Sequence, residues 1–164
     1  KAAWHYDVKH LGFKYNMTDI QAALGIHQLR RLDEFLDRRR QLADKYDAGL
    51  VGIPGIRTLE SDRVGRSAKH LYVILVDGSV TSVDRDDLIA LLRAEGIGTS
   101  VHFIPLHLHS YYEAVSGYRR GDFPNAEALF QRVVSLPLFP GMTDDDVSRV
   151  VSCIDGAMQR SRRP

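Results

Sequence analysis

The sequence predicts an α/β (α+β) fold, with a long N-terminal helix followed by a small mixed sheet that has helices packed on it. Three observations carry this. A capped helical stripe occupies the early part of the chain; short apolar runs of strand composition alternate with helical stripes afterwards; glycines and prolines punctuate the segments.

The elements follow in order. Residues 1–15 are mixed and short-range, with Trp4, Tyr6, Phe13 and Tyr15 spread among them. Thr18 and Gln21 have the spacing of a capping box, in which a hydroxyl accepts one orphan N–H and an amide oxygen reaches back for another. Behind that cap, Ile20, Leu24, Leu32, Phe35, Leu36, Leu42, Tyr46 and Leu50 continue one stripe, predicting a single helix from about Thr18 to Leu50, bent near its middle. Gly52, Pro54 and Gly55 stop it, and a charged loop runs from Arg57 to Arg66. Leu71 to Val76 is an unbroken apolar run, the composition of a buried strand. Asp84 caps a helix bearing Leu88, Ile89, Leu91 and Leu92, closed at Gly96. From Ile97 the period becomes two, with Ile97, Thr99, Val101 and Phe103 on one face and Gly98, Ser100 and His102 on the other. A loop with Pro105, two histidines (His107 and His109) and three tyrosines extends to about Phe123. A helix from Pro124 to about Arg132, a strand around Val134 to Leu136 and a turn at Pro137 to Gly141 come next. Thr143 caps the last helix, whose Val147, Val150, Val151, Ile154 and Met158 keep helical spacing.

A chain of 164 residues, 44% apolar and 26% charged, is long enough to bury one core. No apolar run reaches bilayer length, and the polar start, Lys1 to Lys9, has no signal-peptide character. Cys153 is the single cysteine, so no internal disulfide or cysteine metal cage is available and a reducing cytoplasm is the expected compartment. With 22 basic against 21 acidic residues, a polyanion is not the expected partner. Arg38, Arg39 and Arg40 read as a solvated helix face, and Arg160, Arg162 and Arg163 as a fraying end. No basic–aromatic platform for nucleic acid appears.

Asp84, Asp86 and Asp87, and Asp144, Asp145 and Asp146, each open a helix, where carboxylates satisfy exposed N–H groups and the dipole; no metal site is expected from them. His102, His107 and His109 match no standard zinc spacing. As binding residues, His102 leaves a strand end and His107 follows in a proline-shaped loop, the setting in which ligand contacts gather; surface histidines are the bland alternative. Gly12 to Met17 puts a cation, Lys14, and an amide, Asn16, just ahead of a helix N-terminus, a chemically sensible phosphate site.

Several stretches together resemble the DegT/DnrJ/StrS-type sugar aminotransferases, pyridoxal-phosphate (PLP) enzymes of fold type I. They are Leu11-Gly-Phe-Lys-Tyr-Asn-Met-Thr-Asp-Ile-Gln-Ala-Ala-Leu-Gly25, Gln28-Leu-Arg-Arg-Leu-Asp33, Arg38-Arg39, His70-Leu-Tyr, Arg85-Asp86 with Leu88, Gly96-Ile-Gly-Thr, His102-Phe-Ile-Pro-Leu-His107 and Ser135-Leu-Pro-Leu-Phe-Pro140. They stand in family order across nearly the whole chain.

The resemblance implies a C-terminal portion. Residues 1–17 would be a remnant of the large PLP domain, 18–52 the long connecting helix, and 53–164 the small C-terminal domain. Its fold would be like the C-terminal small domain of fold-type I aminotransferases. It implies PLP in the parent enzyme, with Lys14 or Asn16 contacting its phosphate across a homodimer interface. His102 and His107, with Tyr112, would line the nucleotide-sugar pocket. The parent reaction would be amino transfer, commonly from glutamate, to a keto carbon of a nucleotide-linked sugar. No lysine among Lys1, Lys9, Lys14, Lys45 and Lys69 sits in the family's cofactor-lysine motif, so no catalytic residue is assigned here and the isolated fragment is expected to be inactive and to hold no PLP by itself. Two other readings stand beside this one: a fragment of a PLP-dependent sugar dehydratase of the same family, and a non-catalytic interaction module.

Overall fold

Side-chain caps start the helices at Thr18, Asp84 and Thr143, as their spacing requires. In the computed structural model, which describes residues 7–59 and 67–160, all three are complete capping boxes, opening α1 (Asp19–Arg30), α3 (Arg85–Ala94) and α6 (Asp144–Gln159). Asp84 takes the N–H groups of Asp86 and Asp87, and Asp146 takes that of Thr143. Most of these carboxylates are therefore committed to helix ends or ion pairs: Asp84, Asp86 and Asp87 in one group, Asp144 and Asp146 in the other. Among the described residues no group of three histidines, cysteines or carboxylates could hold a metal.

The chain forms two compact units, divided between Asp33 and Glu34. The first holds a segment without helix or strand and α1, none of whose residues is buried. The single helix expected from about Thr18 to Leu50, bent near its middle, is interrupted at Arg31, where φ is −100° and ψ 4°. There the N–H donates to Gln28 O at 3.1 Å, three residues back instead of four. The helix resumes as α2 (Leu32–Leu50). Trp4 and Tyr6 lie outside the described residues, as do 60–66 of the charged loop and Arg162 and Arg163.

In the second unit the sheet has the order β1 (Ile56–Thr58), β2 (Tyr72–Val76), β3 (Val133–Leu136). It is antiparallel throughout, not mixed. Apolar pattern marks a strand but says nothing of its direction, and the long β2–β3 connection permits either. β1 was not expected; three residues beside Gly55 carry too little periodicity to be seen. The expected strand Ile97–Phe103 contributes only one bridge, Ser100 to Ser135. Ile97 is buried there while Phe103 is 75% exposed, so the alternating face survives at one end only. The expected loop from Pro105 to Phe123 contains a 3₁₀ turn (Leu106–Leu108) and α4 (Ser110–Ser116), followed by α5 (Pro124–Phe130). No residue of α4 is buried, which is why it left no stripe to read.

Tyr72, Ile74 and Val76 alternate onto one sheet face with Val134 and Leu136, and that face joins Leu42, Tyr46 and Leu50 of α2, Leu88 and Leu92 of α3 and the α6 stripe in one core. Helices thus pack on one face of a small sheet, as the pattern predicts. Each such side chain gains roughly 1.5–3 kcal/mol by leaving water. Gly49 lets α2 approach α6 closely, since a Cβ there would lie 3.0 Å from Val151 Cγ2. The Tyr46 and Tyr72 rings stack at 4.6 Å, and their hydroxyls donate to Pro137 O (2.9 Å) and Asp47 Oδ1 (2.6 Å). Burial raises both phenols above the ordinary tyrosine range, helped by the charge of Asp146 at Tyr46 and by the bond to Asp47 at Tyr72. Both therefore stay protonated donors.

The solvated reading of Arg38–Arg40 is corrected here. Arg38 donates to Met142 O (2.7 Å) and pairs with Asp144 (3.0 Å); Arg39 reaches the carbonyls of Lys69, His70 and Leu138. Arg40 makes a helix-surface pair with Asp37.

Candidate functional site

The first unit carries Lys14 and Asn16 on backbone outside any helix or strand, leading into α1, both exposed. The capping box occupies part of that helix end, because the N–H groups of Thr18 and Gln21 already have side-chain acceptors. Asp19 adds a negative charge in the first turn, which opposes a bound anion. Affinity for a phosphate at this position therefore rests on the Lys14 ammonium and the Asn16 carboxamide. Phe13 and Tyr15 flank Lys14, 85% and 84% exposed.

The second unit carries the predicted histidines, and the two have different surroundings. His102 lines an open cavity of about 220 Å³, together with His70, Thr99, Ser100, Ser135 and Leu138 among others. The strand end puts it there: the Ser100–Ser135 bridge aligns the segment against β3, and the Ser135 hydroxyl then lies 2.8 Å from His102 Nδ1. That bond orients the ring and leaves Nε2 as the nitrogen available to a ligand. His107 is buried, with Nε2 2.9 Å from Glu127 Oε1 and its ring 4.7 Å from that of Phe123. Glu127 also accepts the Gly121 N–H at 2.7 Å. The His107 bond, then the Gly121 bond, holds the Glu127 carboxyl below the usual carboxylate range. His107 is thus half of a clasp joining the 3₁₀ turn to α5. Tyr112 lies on α4, 41% exposed, its ring edge-on to Tyr111 at 5.4 Å. His107 and Tyr112 do not line the His102 cavity.

Sequence reasoning missed His70, Ser135 and Glu127. Ser135 had left a signal: a lone hydroxyl inside an apolar strand must find a partner when buried. A larger cavity, about 280 Å³, opens between α3 and α6 around Leu92, Arg149, Cys153 and Arg160. None of the predicted residues lines it, so volume does not choose the site; the convergence of polar groups around His102 does.

Compared with known proteins, residues 1–155 match the model of the DegT/DnrJ/EryC1/StrS aminotransferase family. The chain belongs to this family. It is 48% identical to the spore coat polysaccharide biosynthesis protein SpsC of Bacillus subtilis over 153 residues, 93% of this chain and 39% of that protein. Among solved structures it superposes on the PLP-form of Spr1654 from Streptococcus pneumoniae, a protein assigned as a sugar aminotransferase. The TM-score is 0.86 and the identity 32%, covering 98% of this chain and 40% of that one. It also matches DesI determined in the presence of its TDP-sugar product, with TM-score 0.78 and identity 30%, covering 88% of this chain and 36% of that one. The chain therefore spans about two fifths of the length of such relatives. No helix among the described residues is long and apolar enough to cross a membrane.

Proposed function

We propose that this family member is the C-terminal part of a cytoplasmic, PLP-dependent aminotransferase that acts on a nucleotide-linked keto sugar, with glutamate as amino donor. The match of residues 1–155 to the aminotransferase family carries the reading. The PLP-form of one structural relative and the TDP-sugar product of another support its cofactor and substrate class.

Lys14 and Asn16 fit one end of PLP. An ammonium and a carboxamide on exposed backbone suit a phosphate dianion, and in a homodimer they would serve the partner subunit's cofactor. PLP, when bound, supplies the electron sink that amino transfer requires. The lysine that bonds it would belong to a part of the parent protein outside these 164 residues, so this stretch alone would be inactive and hold no cofactor. His102, oriented by Ser135, would present Nε2 to the sugar nucleotide. Tyr112 adds an exposed phenol on α4. His107, buried against Glu127, would act by holding the loop that carries these groups.

The test uses the full-length parent protein with PLP, glutamate and a TDP-keto sugar, followed by mass spectrometry of the product. Appearance of a TDP-amino sugar with matching loss of glutamate supports the proposal. Loss of a sugar hydroxyl without nitrogen transfer would establish dehydratase chemistry instead. No change in the sugar across TDP- and UDP-linked substrates would overturn the sugar reading.

A further inference from the structure

We infer that Arg39 is a positioning residue for the His102 cavity; its role in sugar binding rests on the reading just given. Arg39 Nη1 stands 2.9 Å from Leu138 O, 3.1 Å from His70 O and 3.3 Å from Lys69 O. His70 and Leu138 both line the cavity that holds His102, and they come from segments on either side of the long β2–β3 connection. One guanidinium on α2 thus ties two cavity walls to a single rigid helix.

The backbone at Lys69 is a second, independent sign. Its φ is +46°, in the left-handed region that a lysine rarely enters and keeps only when its surroundings hold it there. This turn brings the successive carbonyls of Lys69 and His70 onto the same nitrogen, while Ser67 Oγ takes the Lys69 N–H at 3.2 Å. Tyr46, two turns further along α2, holds the neighbouring Pro137 carbonyl. Nη1 carries two N–H groups, so at least one is shared between two of the three carbonyls, and a lysine would keep the charge on a shorter, more flexible stem.

Arg38 is a built-in control. It binds Met142 O and Asp144, neither of which lines the cavity. Loss of Arg38 should therefore cost stability alone, and loss of Arg39 should cost the site as well.

The experiment takes the full-length holoprotein and its Arg39→Ala, Arg39→Lys and Arg38→Ala variants, with TDP-glucose titrated by calorimetry and melting followed in parallel. Arg39→Ala is expected to weaken binding roughly tenfold, Arg39→Lys to recover part of the loss, and Arg38→Ala to melt lower with affinity unchanged. Wild-type affinity in Arg39→Ala, or equal weakening in Arg38→Ala, would overturn the inference. Should the wild type itself bind no TDP-glucose, the nucleotide-sugar reading fails and amide hydrogen exchange decides the positioning role. Faster exchange at 70–72 and 136–139 in Arg39→Ala but not in Arg38→Ala sustains it, and unchanged exchange overturns it.

Discussion

His107 Nε2 and Glu127 Oε1 lie 2.9 Å apart, with side chains 6% and 13% exposed, and this one contact bridges the 3₁₀ turn and α5 across twenty residues of chain. With the Gly121 N–H on the same carboxylate oxygen, Glu127 ties both the 3₁₀ turn and the Gly121 turn to α5.

The clasp gives a signed pH dependence. Because its hydrogen bonds lower the Glu127 pKa in the folded state, the stabilisation is fully present above the ordinary glutamate value of about 4.3. It is lost as pH falls through the depressed folded value. Glu127→Gln should remove that acid-range loss. Acid unfolding followed by circular dichroism checks it; superimposable wild-type and variant acid limbs would refute the clasp.

Thr143→Ala should cost about 1 kcal/mol. The hydroxyl accepts the Asp146 N–H at 3.1 Å, and the Asp146 carboxylate takes the Thr143 N–H at 2.8 Å. The same network holds the Asp146 carboxyl below its usual range, the backbone N–H of Thr143 contributing most. Urea denaturation of both proteins measures the difference.

Two glycines with nearly equal φ should respond unequally to alanine. Gly55 has φ +76° and a Cβ there would meet Asp77 O at 3.2 Å and Thr81 at 3.3 Å; Gly117 has φ +72° with nothing within 4 Å. Gly117→Ala should cost about 1 kcal/mol from the left-handed backbone alone, and Gly55→Ala clearly more. Equal melting points for the two variants would show that crowding at Gly55 relaxes freely.

Exposed apolar residues on and before α1, among them Leu11, Ile20, Leu24 and Leu29 at 103%, 76%, 62% and 70%, should make the 164-residue chain self-associate. Light scattering should report species larger than a monomer as concentration rises. Ile20→Lys with Leu24→Lys should reverse this. A monodisperse wild-type monomer at high concentration counts against it.

The capping box at Thr18, the cap at Thr143, the strand at Leu71–Val76 and the α6 stripe were all legible in the sequence, because each is decided by neighbours within a turn of helix or along one strand. The same holds for the family motifs, which are strings of adjacent residues. His102 was legible as a candidate for this reason, being the polar residue at the end of an alternating run.

Only the tertiary structure decided what the long-range groups do. Strand direction, the reduction of Ile97–Phe103 to one bridge and the separation of His107 from the His102 cavity depend on contacts tens of residues away. Arg39 looked like one more solvated cation because an arginine's reach is long and its acceptors here are carbonyls, which every residue carries. Side-chain identity cannot tell which carbonyls the fold leaves open, so the partner of such a donor is settled by packing and not by pattern.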